Sequence, residues 1–138
     1  MVTQTRHNLE VISEVIQLEG LDIYMVAPGV IVSEYTAPVV LDIQLAKRAN
    51  VAIARLSDKK VLPQLFLACP GLSTTKEVRE WGVTEVALKY TLATGIVCNQ
   101  LSHKIVGNFL IKVQRPPKPT KMFSTVEAAH EWACSFLQ

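Results

Sequence analysis

Charged residues are scarce in this chain of 138 residues, where Asp, Glu, Lys and Arg together make up 19% of the total. The 14 basic side chains nearly balance the 12 acidic ones, and a net charge of +2 argues against a general nucleic-acid-binding protein. Hydrophobic residues reach 49%, which excludes disorder for most of the chain. The length matches a single domain over residues 1–138 that buries a core of its own.

Cysteines and long apolar runs are also scarce. Cys69, Cys98 and Cys134 are far apart and form no C-x-x-C motif, so neither a disulfide framework nor a standard zinc site is expected. No stretch approaches the roughly 18 apolar residues of a membrane span. The first residues carry no apolar export signal. These absences predict reduced thiols, a cytoplasmic location and no insertion into a membrane.

The first quarter of the chain is rich in β-branched residues and turn signals. Residues 11–18 and 21–26 are predicted to form a hairpin around a Glu-Gly turn, followed by a shorter strand at 30–35. Residues 1–10, which precede this pattern, are expected to be loosely ordered. The chain is therefore predicted to start as a small meander.

A long amphipathic helix is predicted next, over residues 37–57. Thr36 supplies an N-cap and Pro38 suits the first turn, and apolar residues then recur at spacings of three and four. The nearly uncharged run 61–68 is short and bounded by turn residues, which is typical of a buried central strand.

A second helix and a second buried strand follow. Thr74 and Glu77 match the spacing of a capping box, which predicts a helix that ends near residues 93–94. Residues 95–99 form a short candidate strand. Residues 101–113 fit both a helix and a strand, and we favour the helix because apolar residues occur there at helical spacing.

The chain is predicted to end with an extended segment and a final helix. Residues 114–121 hold three prolines in four positions and are predicted to be an extended surface segment. Ser124 and Glu127 match a second capping box and open the last helix. The predicted order is β-β-β-α-β-α-β-α-α, an α/β single domain in which a mixed sheet of about four to five strands is covered by helices.

Several stretches of this order carry a family resemblance. The buried strand 62–68 and the helix after it are followed by Gly95-Ile96-Val97, which leads into residues 102–109, and the ending 119–132 combines Pro, Phe, Glu-Ala and Trp. In these features the chain resembles the SpoIIAA-like, or STAS-like, domains over nearly its whole length. The resemblance implies a non-enzymatic interaction module or small-ligand module.

The resemblance also bears on a regulatory site. Anti-sigma-factor antagonists of this fold are switched by phosphorylation of a Ser in an Asp-Ser pair that follows the central strand. The corresponding stretch here, residues 68–74, has no Asp-Ser pair. Ser73 and Thr74 nevertheless precede a predicted helix, which makes them a candidate phosphosite or anion site. The alternative is that they only cap the helix.

Candidates for metal binding and catalysis are few. His130 and Cys134 lie four residues apart on a predicted helix and need a third ligand, such as Cys98 or His103, to hold a metal. Cys69 precedes a predicted helix and is the candidate for a reactive thiol. No carboxylate pair with a defined spacing occurs, so we expect no enzyme, no cofactor and no metal.

Charge is distributed unevenly along the chain. Residues 1–35 hold one Arg and five carboxylates, whereas residues 101–138 hold five Lys or Arg and two Glu, which predicts a contact between the two ends within or between chains. The prolines are surrounded by a basic stripe of four residues: Lys112, Arg115, Lys118 and Lys121. The basic stripe suits an acidic partner or a phosphate, and the absence of interleaved aromatics argues against nucleic acid.

These observations predict a domain that acts by binding a protein partner or itself, with a homodimer formed by edge pairing as one form of self-association. The first alternative is a carrier of a small apolar ligand or lipid, because the composition is unusually apolar and related α/β folds hold such ligands between helices and sheet. The second alternative is a cysteine-dependent enzyme.

Overall fold

The computed structural model describes residues 4–138, whose strands and helices alternate along the chain. The strands are β1 (Thr5–Arg6), β2 (Leu9–Glu10), β3 (Ile16–Leu18), β4 (Leu21–Val26), β5 (Val30–Tyr35), β6 (Val40–Leu41), β7 (Leu62–Leu67), β8 (Ser73–Thr74), β9 (Thr91–Val97) and β10 (Thr120–Phe123). The helices are α1 (Ile43–Ser57), α2 (Lys76–Trp81), α3 (Leu101–Phe109) and α4 (Val126–Cys134). A π-helical turn, Leu110–Gln114, extends α3, and a 3-10 turn, Ser135–Leu137, follows α4.

Six strands form the central sheet in the order β10-β9-β7-β5-β4-β3. The strands β3, β4 and β5 pair as an antiparallel meander, and β5, β7, β9 and β10 pair in parallel. This sheet confirms the predicted mixed α/β fold. It has six strands where about four to five were expected.

The additional strand is β10, which lies in part of the predicted extended surface segment. Proline has no N–H to donate to a ladder, so the strand begins at Thr120, directly after Pro119. The backbone N of Thr94 donates to the carbonyl oxygen of Pro119 at 2.9 Å, and Thr120 then pairs with Thr94 in parallel register. The prolines therefore end where the edge strand starts.

The sheet has a buried core on each face. Leu65 and Leu67 of β7 pack with Ala129 and Ala133 of α4 on one face. On the other face Phe66 belongs to the core that α1 forms with β4 and β5. The alternation along β7 is the period of two expected of a strand covered on both faces.

Helix α1 starts later than the predicted helix over 37–57. Its N-cap is Asp42, whose Oδ1 accepts a hydrogen bond from Leu45 N at 2.9 Å, and Thr36 and Pro38 lie outside the helix. The residues before it, β6, pair in parallel with β8. The prediction of a Thr36 cap was wrong because a tertiary strand pairing, rather than the local Thr-x-Pro signal, decides the conformation of residues 40–41.

Helix α2 is shorter than predicted. Its N-cap is Thr75, whose Oγ1 accepts from Val78 N at 3.1 Å, and the helix ends at Trp81, before Gly82. The next strand, predicted at 95–99, begins at Thr91, because β9 pairs with β7 along most of its length. The later helices α3 and α4 occur where they were predicted, and α4 is capped by Thr125 rather than by Ser124.

Part of the segment expected to be loosely ordered forms a hairpin. β1 and β2 pair in antiparallel register, and His7 and Asn8 form the turn with φ values of 54° and 64°. The hairpin is held by Arg6, which donates to Asp22 Oδ2 at 2.8 Å and lies 4.9 Å over the Tyr24 ring. Residues 1–3 of the predicted loose segment lie outside the described residues.

Four of the five acidic side chains of residues 1–35 pair with cations: Glu14, Glu19, Asp22 and Glu34. Glu19 and Glu14 lie 3.3 Å and 3.1 Å from Arg48 and Arg55 of α1. Between residues 4 and 138, no ion pair joins residues 1–35 to residues 101–138. The contact predicted from the charge asymmetry is therefore not an ion pair within the described chain.

Candidate functional site

A cavity of about 460 Å³ lies between the sheet and helices α1, α2 and α3. Its floor is formed by side chains of β5, β7 and β9, with Phe66 and Ile96 among them. Its walls include Ala49 and Ile53 of α1 and Trp81 of α2. This volume falls within the range of about 300–1,000 Å³ that small-molecule sites occupy.

Small residues and short elements leave this space open. Helix α1 packs on β4, α2 and β5, and it presents Ala46 and Ala49 to the cavity. Helix α2 has six residues, and turns replace a longer helix between it and β9. On α3 the cavity is lined by Gly107, which approaches Met122 of β10 so closely that a Cβ at this position would overlap the Met122 sulfur.

Arg79 is the one permanently charged side chain among the residues between 4 and 138 that line the cavity, and no Asp, Glu or Lys lines it. Its Nη1 donates to the carbonyl oxygen of Thr74 at 2.7 Å and to Thr74 Oγ1 at 2.9 Å. The side chain is half-buried and forms no salt bridge with the described residues. A guanidinium has five N–H donors, so Nε and Nη2 keep theirs available.

His103 of α3 also lines the cavity and contacts the same stretch of chain. Its Nε2 lies 2.7 Å from the carbonyl oxygen of Leu72, and because a carbonyl only accepts, Nε2 carries the proton. Arg79 and His103 therefore hold nearly adjacent residues, Thr74 and Leu72. This places both side chains at one end of the cavity, the polar end.

The two amide side chains of the cavity are engaged within the protein. Asn50 Nδ2 donates to the carbonyl oxygen of Ala87 at 2.8 Å. Gln64 Nε2 donates to Thr91 Oγ1 at 2.8 Å. These bonds satisfy donors that burial would otherwise leave unpaired.

The candidate phosphosite lies at the rim of this polar end. Ser73 is exposed and Thr74 is half-buried, and both line the cavity. The Oγ1 of Thr74 accepts from Arg79, and neither residue is the N-cap of α2, which is Thr75. The structure thus brings Thr74 beside a cation, through a contact that its position in the chain did not predict.

The three cysteines lie at separate places and are free. Cys98 lines the cavity, and burial raises the pKa of its thiol more than the charge of Lys104 lowers it. Cys69 Sγ donates to the carbonyl oxygen of Ala37 at 3.4 Å. Cys134 lies 3.5 Å from Nε2 of His130, and burial raises the pKa of this thiol also.

The pair predicted as possible metal ligands has a backbone contact. His130 Nε2 lies 2.9 Å from the carbonyl oxygen of Ala27 and, since that oxygen only accepts, donates to it. Within residues 4–138, no three His, Cys, Asp or Glu side chains come together as potential metal ligands.

In the basic stripe, Lys112 belongs to the π-helical turn, Arg115 follows it directly and Lys121 belongs to β10. Lys112 and Arg115 are joined by a hydrogen bond from Arg115 Nε to the Lys112 carbonyl oxygen at 3.3 Å, and Lys121 Nζ lies 5.4 Å over the Phe123 ring. Next to the stripe, α3 and its π-helical turn carry an exposed apolar row, one residue per turn: Leu101 (74% exposed), Ile105 (60%), Phe109 (51%) and Val113 (62%). Such rows on a surface helix usually face a partner or the core.

Sequence reasoning missed Arg79, and its carrier alternative placed a ligand between helices and sheet without naming any residue of the cavity. Arg79 occurs in an ordinary charged helix turn, Lys-Glu-Val-Arg-Glu, where a solvated side chain is the usual expectation. The one available signal was Gln64, a polar residue within an otherwise apolar buried strand. Its presence indicates that this face of β7 contacts polar groups as well as apolar side chains.

Comparison with known proteins places the chain in a family. The family model described as a domain of unknown function, DUF7793, matches residues 24–137. The chain belongs to the DUF7793 family. No curated protein matches it.

A solved structure shares the architecture of this DUF7793 domain. It is an uncharacterized protein of the DUF3478 family from Shewanella loihica PV-4, described as having a SpoIIAA-like fold. The two chains are 12% identical, with a TM-score of 0.54 over 86% of this chain and 98% of the other. The likeness confirms the predicted SpoIIAA-like fold and concerns the fold alone. Within residues 4–138, none of the helices of the DUF7793 domain combines the length and apolar character that crossing a bilayer requires.

Proposed function

We propose that this DUF7793 domain binds a small apolar ligand in the cavity between the sheet and helices α1, α2 and α3, and does not transform it. The observation that carries the proposal is the cavity itself, about 460 Å³ with Phe66, Ile96 and Ile53 in its lining. Protein interiors are otherwise close-packed, so a space of this size and composition is well suited to an apolar guest.

The cavity's polar groups are in keeping with binding rather than catalysis. The amides of Asn50 and Gln64 are already bonded. Burial favours the protonated thiol of Cys98, which is the unreactive form. We further propose that the domain works in the cytoplasm, where three free cysteines stay reduced.

Trp81 provides a direct test, since it lines the cavity and is one of two tryptophans. The other, Trp132 of α4, packs against Phe123 and Phe136, so Trp132→Phe is a conservative change that leaves Trp81 as the only reporter. Titration with dodecan-1-ol and dodecanoate is expected to shift the Trp81 emission to shorter wavelength and to saturate at one ligand per chain.

The matched control is Trp81→Phe, which leaves Trp132 as the reporter outside the cavity. Its emission is expected to stay constant while calorimetry still detects binding. Equal emission changes in the two variants, or no saturable binding of either probe to the wild-type chain, would contradict a ligand site in this cavity.

A second candidate function follows the leading sequence prediction, an interaction with a protein partner. The exposed apolar row on α3 supports it, together with its flanking charges. Residues 101–114 include Lys104 and Lys112 and no Asp or Glu, and the basic stripe continues from Arg115. We propose as occupant a protein that offers an apolar helix or loop flanked by acidic side chains. A second copy of α3 suits this row less well because its lysines would face each other.

This candidate is tested by purifying a partner captured from the native host and measuring its affinity for variants. Ile105→Asp is expected to abolish binding and added salt to weaken it, whereas Val51→Asp, at an exposed apolar position on α1, is expected to bind normally. Unchanged binding by Ile105→Asp contradicts the candidate. If the wild-type chain forms a dimer that Ile105→Asp abolishes, the occupant of the row is a second copy of the chain. If the chain instead binds selectively to anionic vesicles, the occupant is a membrane surface.

A further inference from the structure

We infer that the ligand of this cavity is an apolar monocarboxylate whose carboxylate is bound by Arg79. The inference rests on the proposed function and specifies the class of ligand. It assigns the hydrocarbon part of the ligand to the apolar floor around Phe66 and Ile96, and the carboxylate to the polar end at Arg79 and His103.

In the described part of the chain, the cavity has one positive charge in its lining and no negative charge to balance it. Arg79 is the only permanently charged side chain among the described residues that line it, and no carboxylate of residues 4–138 forms a salt bridge with it. A half-buried cation beside an apolar space costs free energy unless an anion compensates it. A ligand with one negative charge supplies that anion.

The guanidinium of Arg79 is held in a fixed position. Nη1 is held by both the carbonyl oxygen and Oγ1 of Thr74. The Arg79 side chain is therefore already ordered in the free protein, and binding an anion costs less conformational entropy than it would for a mobile arginine. The donors on Nε and Nη2 keep the fork geometry that matches the two oxygens of a carboxylate. Arg79 is therefore organised for an anion before the anion arrives.

The arrangement favours a carboxylate over a phosphate. A phosphate monoester carries a charge of about −1.5 to −2 near neutral pH and usually takes several cationic or backbone donors. This cavity offers one permanent cation and no lysine among its described lining residues. His103 has its Nε2–H engaged by Leu72, so it leaves only Nδ1 toward further partners. One negative charge is what the polar end can balance.

The inference is tested on the wild-type chain with three probes of equal chain length: dodecanoate, dodecan-1-ol and dodecylamine. Calorimetry near neutral pH is expected to show dodecanoate binding about ten- to a hundredfold more tightly than the alcohol, as a charged hydrogen-bonded pair adds to the same apolar contact. The amine is expected to bind more weakly than the alcohol, because its charge has the sign of Arg79.

Arg79→Gln is expected to remove the preference for dodecanoate over dodecan-1-ol and leave the affinity for the alcohol nearly unchanged. Arg48→Gln, which removes an exposed arginine of α1 outside the cavity, is expected to keep the preference. Thr74→Val removes one of the two bonds that hold the guanidinium and is expected to weaken dodecanoate alone, by about threefold to tenfold.

The possible outcomes separate the two proposals. Equal affinities of wild type for dodecanoate and the alcohol overturn the carboxylate inference and leave the ligand-binding function standing. Failure of all three probes to bind contradicts both. A preference for dodecanoate that persists in Arg79→Gln overturns the role of Arg79. The comparison of probes on the wild-type chain keeps the inference falsifiable even if the variants fold poorly.

Discussion

Glu34 accepts hydrogen bonds from Tyr24 Oη and His7 Nε2, each at 2.8 Å, beside Arg6. Burial by itself raises the pKa of this carboxyl, but the two hydrogen bonds and the charge of Arg6 outweigh it, so the pKa is lowered from its ordinary value of 4.5. A lowered pKa means that the ionised form stabilises the fold above about pH 4.5, and that this contribution is lost as pH falls through the folded-state pKa.

Glu34→Gln is therefore expected to lower the free energy of unfolding by about 1–3 kcal/mol near neutral pH. The difference from wild type should shrink under acid, where the wild-type carboxyl is protonated as well. Urea unfolding across pH measures both effects. Glu19→Gln, in an exposed pair with Arg48, is the control and should change stability by less than about 1 kcal/mol. A Glu34→Gln difference that does not depend on pH contradicts the assignment.

Gly71 is a second residue whose identity the fold requires. Its φ is +86°, and a Cβ at this position would lie 2.6 Å from Pro38 Cβ. Gly71→Ala is expected to cost about 1–3 kcal/mol of stability, because both the backbone conformation and the contact with a rigid proline oppose the added methyl group. Urea unfolding tests this prediction, and the midpoint is expected to fall while the slope of the transition stays unchanged. An unchanged midpoint would show that the backbone around residue 71 adjusts to the methyl group without cost.

At the scale of elements, α1 has one side that packs in the core and one that borders the cavity. Ala49 lines the cavity, whereas Ala52 is buried on the same helix and does not line it. Both alanines look alike in the apolar spacing of the sequence. Only their neighbours in the fold distinguish them.

This difference predicts opposite results for the same substitution. Ala49→Leu is expected to fill part of the cavity, to block dodecan-1-ol binding and to keep or raise the melting temperature. Ala52→Leu is expected to overpack the core and to lower stability by about 1–3 kcal/mol. Calorimetry and thermal unfolding of the pair check both. Destabilisation of Ala49→Leu to the same extent as Ala52→Leu would show that the space at Ala49 is not available.

At the scale of the whole molecule, the cavity joins α1, α2 and α3 to the sheet, so a ligand inside it contacts four parts of the fold at once. A ligand that binds only the folded state stabilises it by mass action. A probe present at a hundredfold excess over its dissociation constant is therefore expected to add about 2.7 kcal/mol to the free energy of unfolding.

Thermal unfolding with increasing dodecanoate measures this effect, and the melting temperature should keep rising with the logarithm of ligand concentration. Ala49→Leu, in which the cavity is partly filled, should lose most of the shift. A shift of equal size in Ala49→Leu would mean that the probe stabilises the domain from another site.

The amino-acid sequence by itself determined the fold class, the buried strand β7, the helices α3 and α4 and the resemblance to SpoIIAA-like domains. These features depend on hydrophobic periodicity and capping signals within about ten residues, so interactions between neighbours in the chain are enough to predict them. Tertiary structure alone decided the start of α1 at Ile43, the edge strand β10 and the cavity that contains Arg79. Each of these arises from contacts between residues far apart in the chain. A local sequence pattern does not predict which distant backbone or side chain will make the contact.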